Sequence, residues 1–287
     1  MPQISRLEYL AERKLAVEHA LNDRLPSADV EPRPVHAAMR YAALGGGKRL
    51  RPIVAMAVAE AGGVDGERVL DAACAIEFVH TASLILDDLP SMDNAKSRRD
   101  RPCTHAIHGE ATAILASLGL IASAFELVTR NAETMLDKEG VAEVVCDLAG
   151  AIGTRGLIQG QHVDLTLHGA ATLDDLEHIY RQKAAALFLA AVTIPARLVS
   201  MREPEGRALR KFAVDLGVAF QITDDLIDAH PDTDHGQKAT FATFLGERGA
   251  RDKAIQLIDE AISALDILGE RGVPLRTIAE YVSKRTF

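Results

Sequence analysis

Six carboxylates in two short stretches carry the plainest chemistry of this chain. LILDDLPSMDN, residues 84–94, sets Asp87 and Asp88 side by side after an aliphatic run and adds Asp93 beyond a proline. FQITDDLID, residues 220–228, holds Asp224, Asp225 and Asp228. Neighbouring carboxylates repel one another and resist desolvation, so each cluster requires water or a cation to stabilise it. In the second stretch Gln221, Asp224, Asp225 and Asp228 stand at i, i+3, i+4 and i+7, which places an amide and three acids on one helical face. A charge cluster is ordinarily a solvated surface. Here Phe212, Leu216, Phe220 and Ile227 make the same helix a core helix, and a carboxylate ladder on a core helix points to a metal. In the first stretch Asp87 and Asp93 cannot share a regular helical face, and Pro90 is expected to end the helix near Leu89, so the chain must fold back for Asp93 to rejoin the pair. Oxygen donors without histidine or cysteine suit a hard ion such as Mg²⁺, which takes one or two acids and fills its remaining positions with water and phosphate oxygens.

Basic groups form a third constellation in a chain whose net charge is −9. GGGKRLRP, residues 45–52, supplies Lys48, Arg49 and Arg51 at a glycine-rich turn entering a helix; KSRRDRP, residues 96–102, supplies Lys96, Arg98, Arg99 and Arg101. Guanidinium forks and backbone amides at a helix start suit phosphate oxygens. The turn lacks the GxxxxGK[ST] spacing of a nucleotide loop, so by itself it would read as a solvated basic turn. His80 lies two turns before Asp87 on the same predicted helix and shares a face with the acids. Two acidic clusters able to face one another, joined by separated cationic sites, describe a pocket for two diphosphates bridged by magnesium. The aliphatic run before Asp87 would then line a cavity for a hydrocarbon tail.

The elements that must hold these groups are helices. Apolar residues recur at helical spacing almost throughout and period-two stretches are scarce, so the chain is expected to be all-α. Predicted helices cover residues 4–24, 34–44, 50–61, 67–89, 104–108, 110–135, 139–152, 155–167, 173–200, 204–229, 239–246 and 248–285, with Pro195 expected to kink the long helix that contains it. No linker divides the sequence, so residues 1–287 are expected to form a single domain. With 48% hydrophobic and 25% charged residues the composition is that of a globular chain rather than a disordered one. Its acidity excludes a nucleic-acid partner. Cys74, Cys103 and Cys146 have no pair spacing, which fits reduced thiols in a cytoplasmic protein. The uncharged run Ala111–Phe125 falls short of a typical span and is expected to be a buried helix rather than a transmembrane segment.

With these residues in view, the chain resembles the trans-isoprenyl diphosphate synthases, the polyprenyl synthetase family, and most of all its bacterial short-chain geranylgeranyl and farnesyl diphosphate synthases. The matching motifs are GGGKRLRP, EFVHTASLILDDLPSMDNAKSRRDRPCTH at 77–105, GLIQGQHVDL at 156–165, QKAAALF at 182–188 and FQITDDLID. The DDLPSMD clamp is two residues longer than DDxxD. The resemblance implies an orthogonal α-helical bundle around a deep central cavity, a homodimer, and condensation of isopentenyl diphosphate with an allylic diphosphate. It implies that Lys48, Arg51, His80 and Arg99 hold isopentenyl diphosphate. Arg98, Lys183, Gln221 and Lys238 would contact the allylic diphosphate. Asp87, Asp93 and Asp224 would ligate Mg²⁺, three ions per active site with substrate bound, while Asp88, Asp225 and Asp228 complete the acidic, metal-binding walls.

Product length follows from cavity depth. In the family the residue five before the clamp's first aspartate commonly sets the floor; here it is Ala82, with Ser83 beside it and Phe78 one turn deeper. Small residues there imply geranylgeranyl diphosphate (C20) rather than farnesyl diphosphate (C15), with longer products the other rival. A non-catalytic regulatory subunit and a terpene cyclase are the remaining alternatives; intact DDLPSMD and DDLID stretches count against both. The chain departs from the family at Ala95, Lys96 and Ala184, at a shortened loop after Asp228 that keeps only Lys238 of the usual lysine pair, and at Asp100, which replaces a glycine and is expected to pair with Arg99 and weaken its hold on diphosphate.

Overall fold

The computed structural model describes residues 6–166, 172–228 and 240–284. Among them thirteen α-helices and one two-residue hairpin are formed, so the fold is all-α. The chain divides into two compact units, the first comprising the described residues up to Ala59 together with Val64–Cys146, the second Glu60–Gly63 and the described residues from Asp147 on.

The first unit is built on α4 (Leu70–Asp87), whose stretch from Ala72 to Val79 is buried on every side. It packs on α6 (Glu110–Glu133), on α1 (Arg6–Arg24) and on α2 (Arg33–Ala43). Small side chains are common on both helices: Ala72, Ala73, Ala75 and Ala82 of α4 and Ala113, Ala116, Ser117 and Ala124 of α6 are all buried. The Ser117 hydroxyl donates to the Ala82 carbonyl at 3.1 Å, tying the two backbones together. α3 (Leu50–Ala61) and α5 (Thr104–His108) complete this unit, with the first part of α7 (Lys138–Ile152). By length and composition α4 and α6 could each cross a membrane, but two-thirds of the apolar stretch of α4 is buried. The expectation for α6 is corrected. Only one of its faces is packed, and Ile114, Leu115 and Leu118 on the other are 41%, 53% and 57% exposed.

The second unit centres on α10 (Ala185–Leu198), apolar and buried almost all round, with α11 (Glu203–Asp228) against it. Gly217 makes that approach possible, since a Cβ there would sit 2.7 Å from the Ala185 Cα. α11 also packs on α12 (Phe241–Ala264), which begins with a capping box between Thr240 and Thr243. α8 (Leu157–Thr166) lies on α9 (Leu173–Lys183) through Gly160, where a Cβ would fall 2.5 Å from the Lys183 nitrogen.

Two helix expectations need correction, and one stretch not assigned to a helix takes a defined form. Residues 173–200 are not one kinked helix: the break falls at Ala184, while Pro195 sits within regular α10. Residues 248–285 are interrupted by a 3₁₀ stretch at Leu265–Gly272, where Gly269 has φ 55°, and resume as α13 (Val273–Lys284). Residues 97–102 form a hairpin, β1 (Ser97–Arg98) and β2 (Arg101–Pro102). Cys74 and Cys103 are buried thiols and Cys146 is an exposed one. Burial pushes the Cys74 thiol up to about 12 and, helped by Asp88, the Cys103 thiol up to about 11.

Candidate active site

The first acidic cluster is made by the end of α4. Asp87 is the last helical residue, and the chain beyond Leu89 and Pro90 turns back until the Asp93 amide donates to the Asp87 carbonyl at 2.9 Å. The amides of Met92 and Asn94 both donate to the Leu89 carbonyl, which fixes the turn. Asp93 thus rejoins the pair as its proline requires. The three acids differ in surroundings. Asp88 is 3% exposed and meets the Arg98 guanidinium through two atoms, Nη2 at 2.7 Å and Nε at 2.8 Å. Asp87 is half-buried and Asp93 exposed, so solvent reaches both. An acid at a helix C-terminus opposes the helix dipole, and the bidentate arginine offsets that cost at Asp88.

Arg98 comes from the hairpin, whose turn residues Arg99 and Asp100 have φ 54° and 58°. Two left-handed residues in succession are the backbone of a tight turn usually given to Asn-Gly, and aspartate tolerates it better than most. The expected Arg99–Asp100 pair does not form. Arg99 reaches instead to the glycine-rich turn, donates to the Gly46 carbonyl, and lies where a Cβ on Gly47 would meet its guanidinium carbon at 2.8 Å.

Past this turn the basic residues take different directions. Arg49, with φ 54°, points inward and is among the most deeply buried side chains of the first unit. It binds Glu77 of α4 at 2.7 Å, Glu18 of α1 at 2.8 Å and the Ala43 carbonyl at 2.6 Å. This arginine, part of the basic turn in the sequence, is a strut between three helices rather than a group open to phosphate; a buried arginine needs such partners. Lys48 is exposed and Arg51 half-buried. Arg51 makes a long 3.5 Å contact with the Nε2 of His80. Burial, then the charges of Arg51, Arg99, Arg98 and Arg49, hold His80 well below the ordinary histidine range, so at neutral pH it is an uncharged donor amid cations. His80, Ser83 and Asp87 lie half-buried along one stripe of α4; Phe78 and Ala82, on the opposite side of the helix, are fully buried.

The second cluster is a ladder on α11. Asp225 accepts from the Tyr180 hydroxyl and from Gln221 Nε2, the latter at 2.8 Å. Burial and the Asp225 carboxylate push the Tyr180 phenol well above its usual range, so it stays a donor. Asp224 is half-buried on the same face. Lys183 pairs with Asp164 at 2.8 Å. Tyr180 and Asp164 were not singled out from the sequence, and no local signal tells which tyrosine or aspartate of two neighbouring helices will face the ladder. The side chain of Asp228 and the whole of Lys238 fall outside the described residues.

Among the described residues no three metal-ligating side chains converge on one point. The donor set of each cluster, carboxylate oxygens without histidine or cysteine, fits a hard cation such as magnesium: Asp87 and Asp93 in the first unit and Asp224 in the second are open to solvent in part or in full and would offer oxygens to an ion that takes phosphate for the rest. A shallow concavity lined by Lys211, Asp252, Gln256 and Glu260 shares no residue with either cluster.

The polyprenyl synthetase family profile matches residues 32–242. The chain is 36% identical to a geranylgeranyl diphosphate synthase of Cyanophora paradoxa over 97% of its own length and 96% of the relative's. It is 37% identical to a chloroplastic geranylgeranyl pyrophosphate synthase of Capsicum annuum over 96% of this chain and 78% of that one. Among solved structures, an FPP/GFPP synthase from Zymomonas mobilis aligns with a TM-score of 0.88 and 35% identity, covering 97% of this chain and 100% of that one. A geranyltransferase from Legionella pneumophila gives a TM-score of 0.85 at 29% identity, over 98% and 96%. With a family match over most of its length, relatives aligned nearly end to end and the isoprenoid synthase fold, this chain belongs to the polyprenyl synthetase family.

Proposed function

We propose that the protein is a trans-prenyltransferase that condenses isopentenyl diphosphate with an allylic diphosphate, its two compact units acting as one catalytic domain, and that its product is geranylgeranyl diphosphate. One observation supports this above the others. On α4, neutral His80 amid Arg51, Arg98 and Arg99 stands two turns, about 10 Å, from the Asp87–Asp93 clamp. A receptor for anions beside a receptor for hard cations is what a metal-bound diphosphate requires.

In this reading Lys48, Arg51, His80 and Arg99 bind isopentenyl diphosphate. Arg98, Lys183, Gln221 and Lys238 bind the allylic diphosphate. The family is generally magnesium-dependent. Asp87, Asp93 and Asp224 would hold the ions, three with substrate bound, while Asp88, Asp225 and Asp228 complete the acidic walls. Bound there, magnesium neutralises charge building on the departing diphosphate. The chain's own groups do the rest. Arg98 and Lys183, held in place by Asp88 and Asp164, stabilise the leaving group with preorganised donors as the allylic C–O bond breaks. The double bond of isopentenyl diphosphate, positioned by Arg51 and His80, attacks the allylic carbon and forms the new C–C bond. The resulting cation loses a proton to the released diphosphate, which restores a double bond. Aliphatic residues exclude water, which would otherwise capture the carbocation.

The decisive assay combines the protein, Mg²⁺ and labelled isopentenyl diphosphate with dimethylallyl, geranyl or farnesyl diphosphate in separate reactions. A C20 product that disappears with a chelator and returns with Mg²⁺ is expected. No elongation from any starter would reject the enzyme and leave a non-catalytic subunit. For chain length, Ala82→Tyr and Ser83→Tyr should each shift the product towards C15. The first, at a site with no exposure, should also lower stability by about 1–3 kcal/mol through overpacking. Unchanged product chromatography from both variants would place the floor elsewhere.

The exposed apolar face of α6 supports a homodimer, since Ile114, Leu115 and Leu118 would be covered by a second copy. Light scattering should give twice the chain mass, and Leu118→Glu should halve it. The compartment proposed is the cytoplasm, with all three cysteines as thiols.

A further inference from the structure

We infer that Arg101 is a further diphosphate-binding residue, a cation of the isopentenyl diphosphate site held ready on an aromatic platform; this rests on the function proposed above. Four observations in the first unit converge on it. First, the hairpin register sets Arg101 directly opposite Arg98. Like charges in directly opposed strand positions repel, and only one of the two has a counter-ion: Asp88 is taken by Arg98, and among the described residues no carboxylate pairs with Arg101. Second, the Arg101 guanidinium carbon lies 4.2 Å from the centre of the Tyr41 ring. Stacking on that face fixes the guanidinium plane and leaves its N–H groups to donate at the edges, an arrangement open to arginine and not to a point charge.

Third, the platform is itself anchored. The Tyr41 hydroxyl donates to the Pro102 carbonyl at 2.7 Å, next to Arg101 in the chain, and the ring meets His108 edge-on with centroids 5.3 Å apart. Fourth, Arg101 reaches the phosphate turn: a Cβ on Gly45 would fall 2.7 Å from its Nη1. The first two glycine neighbours of Lys48 that meet an arginine are thus Gly45, under Arg101, and Gly47, under Arg99. Gly45, Thr81, Asp88, Arg98, Arg99 and Arg101 line one cleft, whose only acid is already neutralised. A half-buried guanidinium, oriented, unpaired and in a cleft of net positive charge, is a receptor for phosphate oxygens.

The test is steady-state kinetics on full-length Arg101→Met, Arg101→Lys, Tyr41→Leu and Arg51→Met, each substrate varied in turn, with a thermal melt of every variant. Arg101→Met should raise KM for isopentenyl diphosphate about tenfold, the effect of losing one charge-assisted hydrogen bond, while kcat and the allylic KM stay within about twofold. Arg101→Lys should recover part of the loss. Tyr41→Leu should raise the same KM, and adding it to Arg101→Met should raise it no further, because the platform acts through the guanidinium. An unchanged KM in a normally melting Arg101→Met would overturn the assignment, as would equal increases for both substrates that Arg101→Lys does not relieve. Arg51→Met separates the two levels: if it raises KM for isopentenyl diphosphate while Arg101→Met does not, the enzyme reading stands and only the role of Arg101 falls.

Discussion

The two acidic clusters carry similar residues and are built on opposite plans. The first is a helix end: Asp87 closes α4, Asp93 returns to it through a backbone hydrogen bond, and buried Asp88 is neutralised by an arginine from a separate hairpin. The second lies within the body of a helix, with Asp224 and Asp225 on the regular ladder of α11 and Asp225 held by uncharged donors, Tyr180 and Gln221. The Asp88 carboxylate meets a guanidinium, whereas a phenol and an amide are among the groups that fix the direction of Asp225. In the function proposed above, this difference would suit the first cluster to diphosphate as much as to metal, since Arg98 would serve both Asp88 and the substrate, and the second cluster to cations.

Removing a proposed metal ligand from each wall tests that contrast most strongly. Asp87→Ala and Asp224→Ala should each lower kcat by about 10²–10³-fold, with the fall at Asp87 partly relieved by higher Mg²⁺. Loss at one position alone would remove the other aspartate from the proposed metal ligands. Next come the holding groups. Arg98→Met removes a substrate contact and strands Asp88, so it should depress kcat about 100-fold, with the melting temperature falling as well. Tyr180→Phe only loosens Asp225 and should lower kcat about tenfold at unchanged stability. Equal effects would erase the distinction between a carboxylate held by a guanidinium and one held by a phenol.

A smaller effect concerns pH. Unfolded, His80 takes up a proton near pH 6.5; folded, burial and four arginines resist it, so the unfolded state binds more protons and apo stability falls as pH drops below about 6.5. His80→Gln should flatten the denaturation free energy between about pH 6.5 and 5. Glu205 acts in a different window. Arg202, then Arg271, hold its carboxylate down to about 2, so the stability it contributes is lost only as pH falls below about 4.5. The smallest expected change is Asp100→Gly, which relieves a left-handed residue and should stabilise by about 1 kcal/mol in chemical denaturation, with catalysis unaltered.

Much of this architecture was legible in the residues, because apolar spacing reports which side of a helix meets the core. The return of Asp93 was legible too, since Pro90 leaves the chain little choice. What escaped depended on long-range packing. The break at Ala184 has no glycine or proline to announce it; it arises where the backbone of α8 presses on Lys183 through Gly160 and Gly217 admits Ala185. Gly269 and Gly272 did announce the interruption after α12, but the apolar period runs on through them. The hairpin at Arg99–Asp100 lacks the glycine that usually marks such a turn, and Asp100 alone is too weak a signal. In the site, residue types and spacing gave the acids and the bases, and only the fold reveals that Arg49 faces inward and that Tyr180 and Asp164 are partners.

The unequal chemistry of the three cysteines has a practical consequence. Cys74 and Cys103 are buried and their thiols resist ionisation, whereas Cys146 is exposed and ends the first compact unit. A maleimide dye applied briefly at neutral pH should therefore mark the native protein at a single point on α7 and offer a ready-made fluorescent label without any engineering.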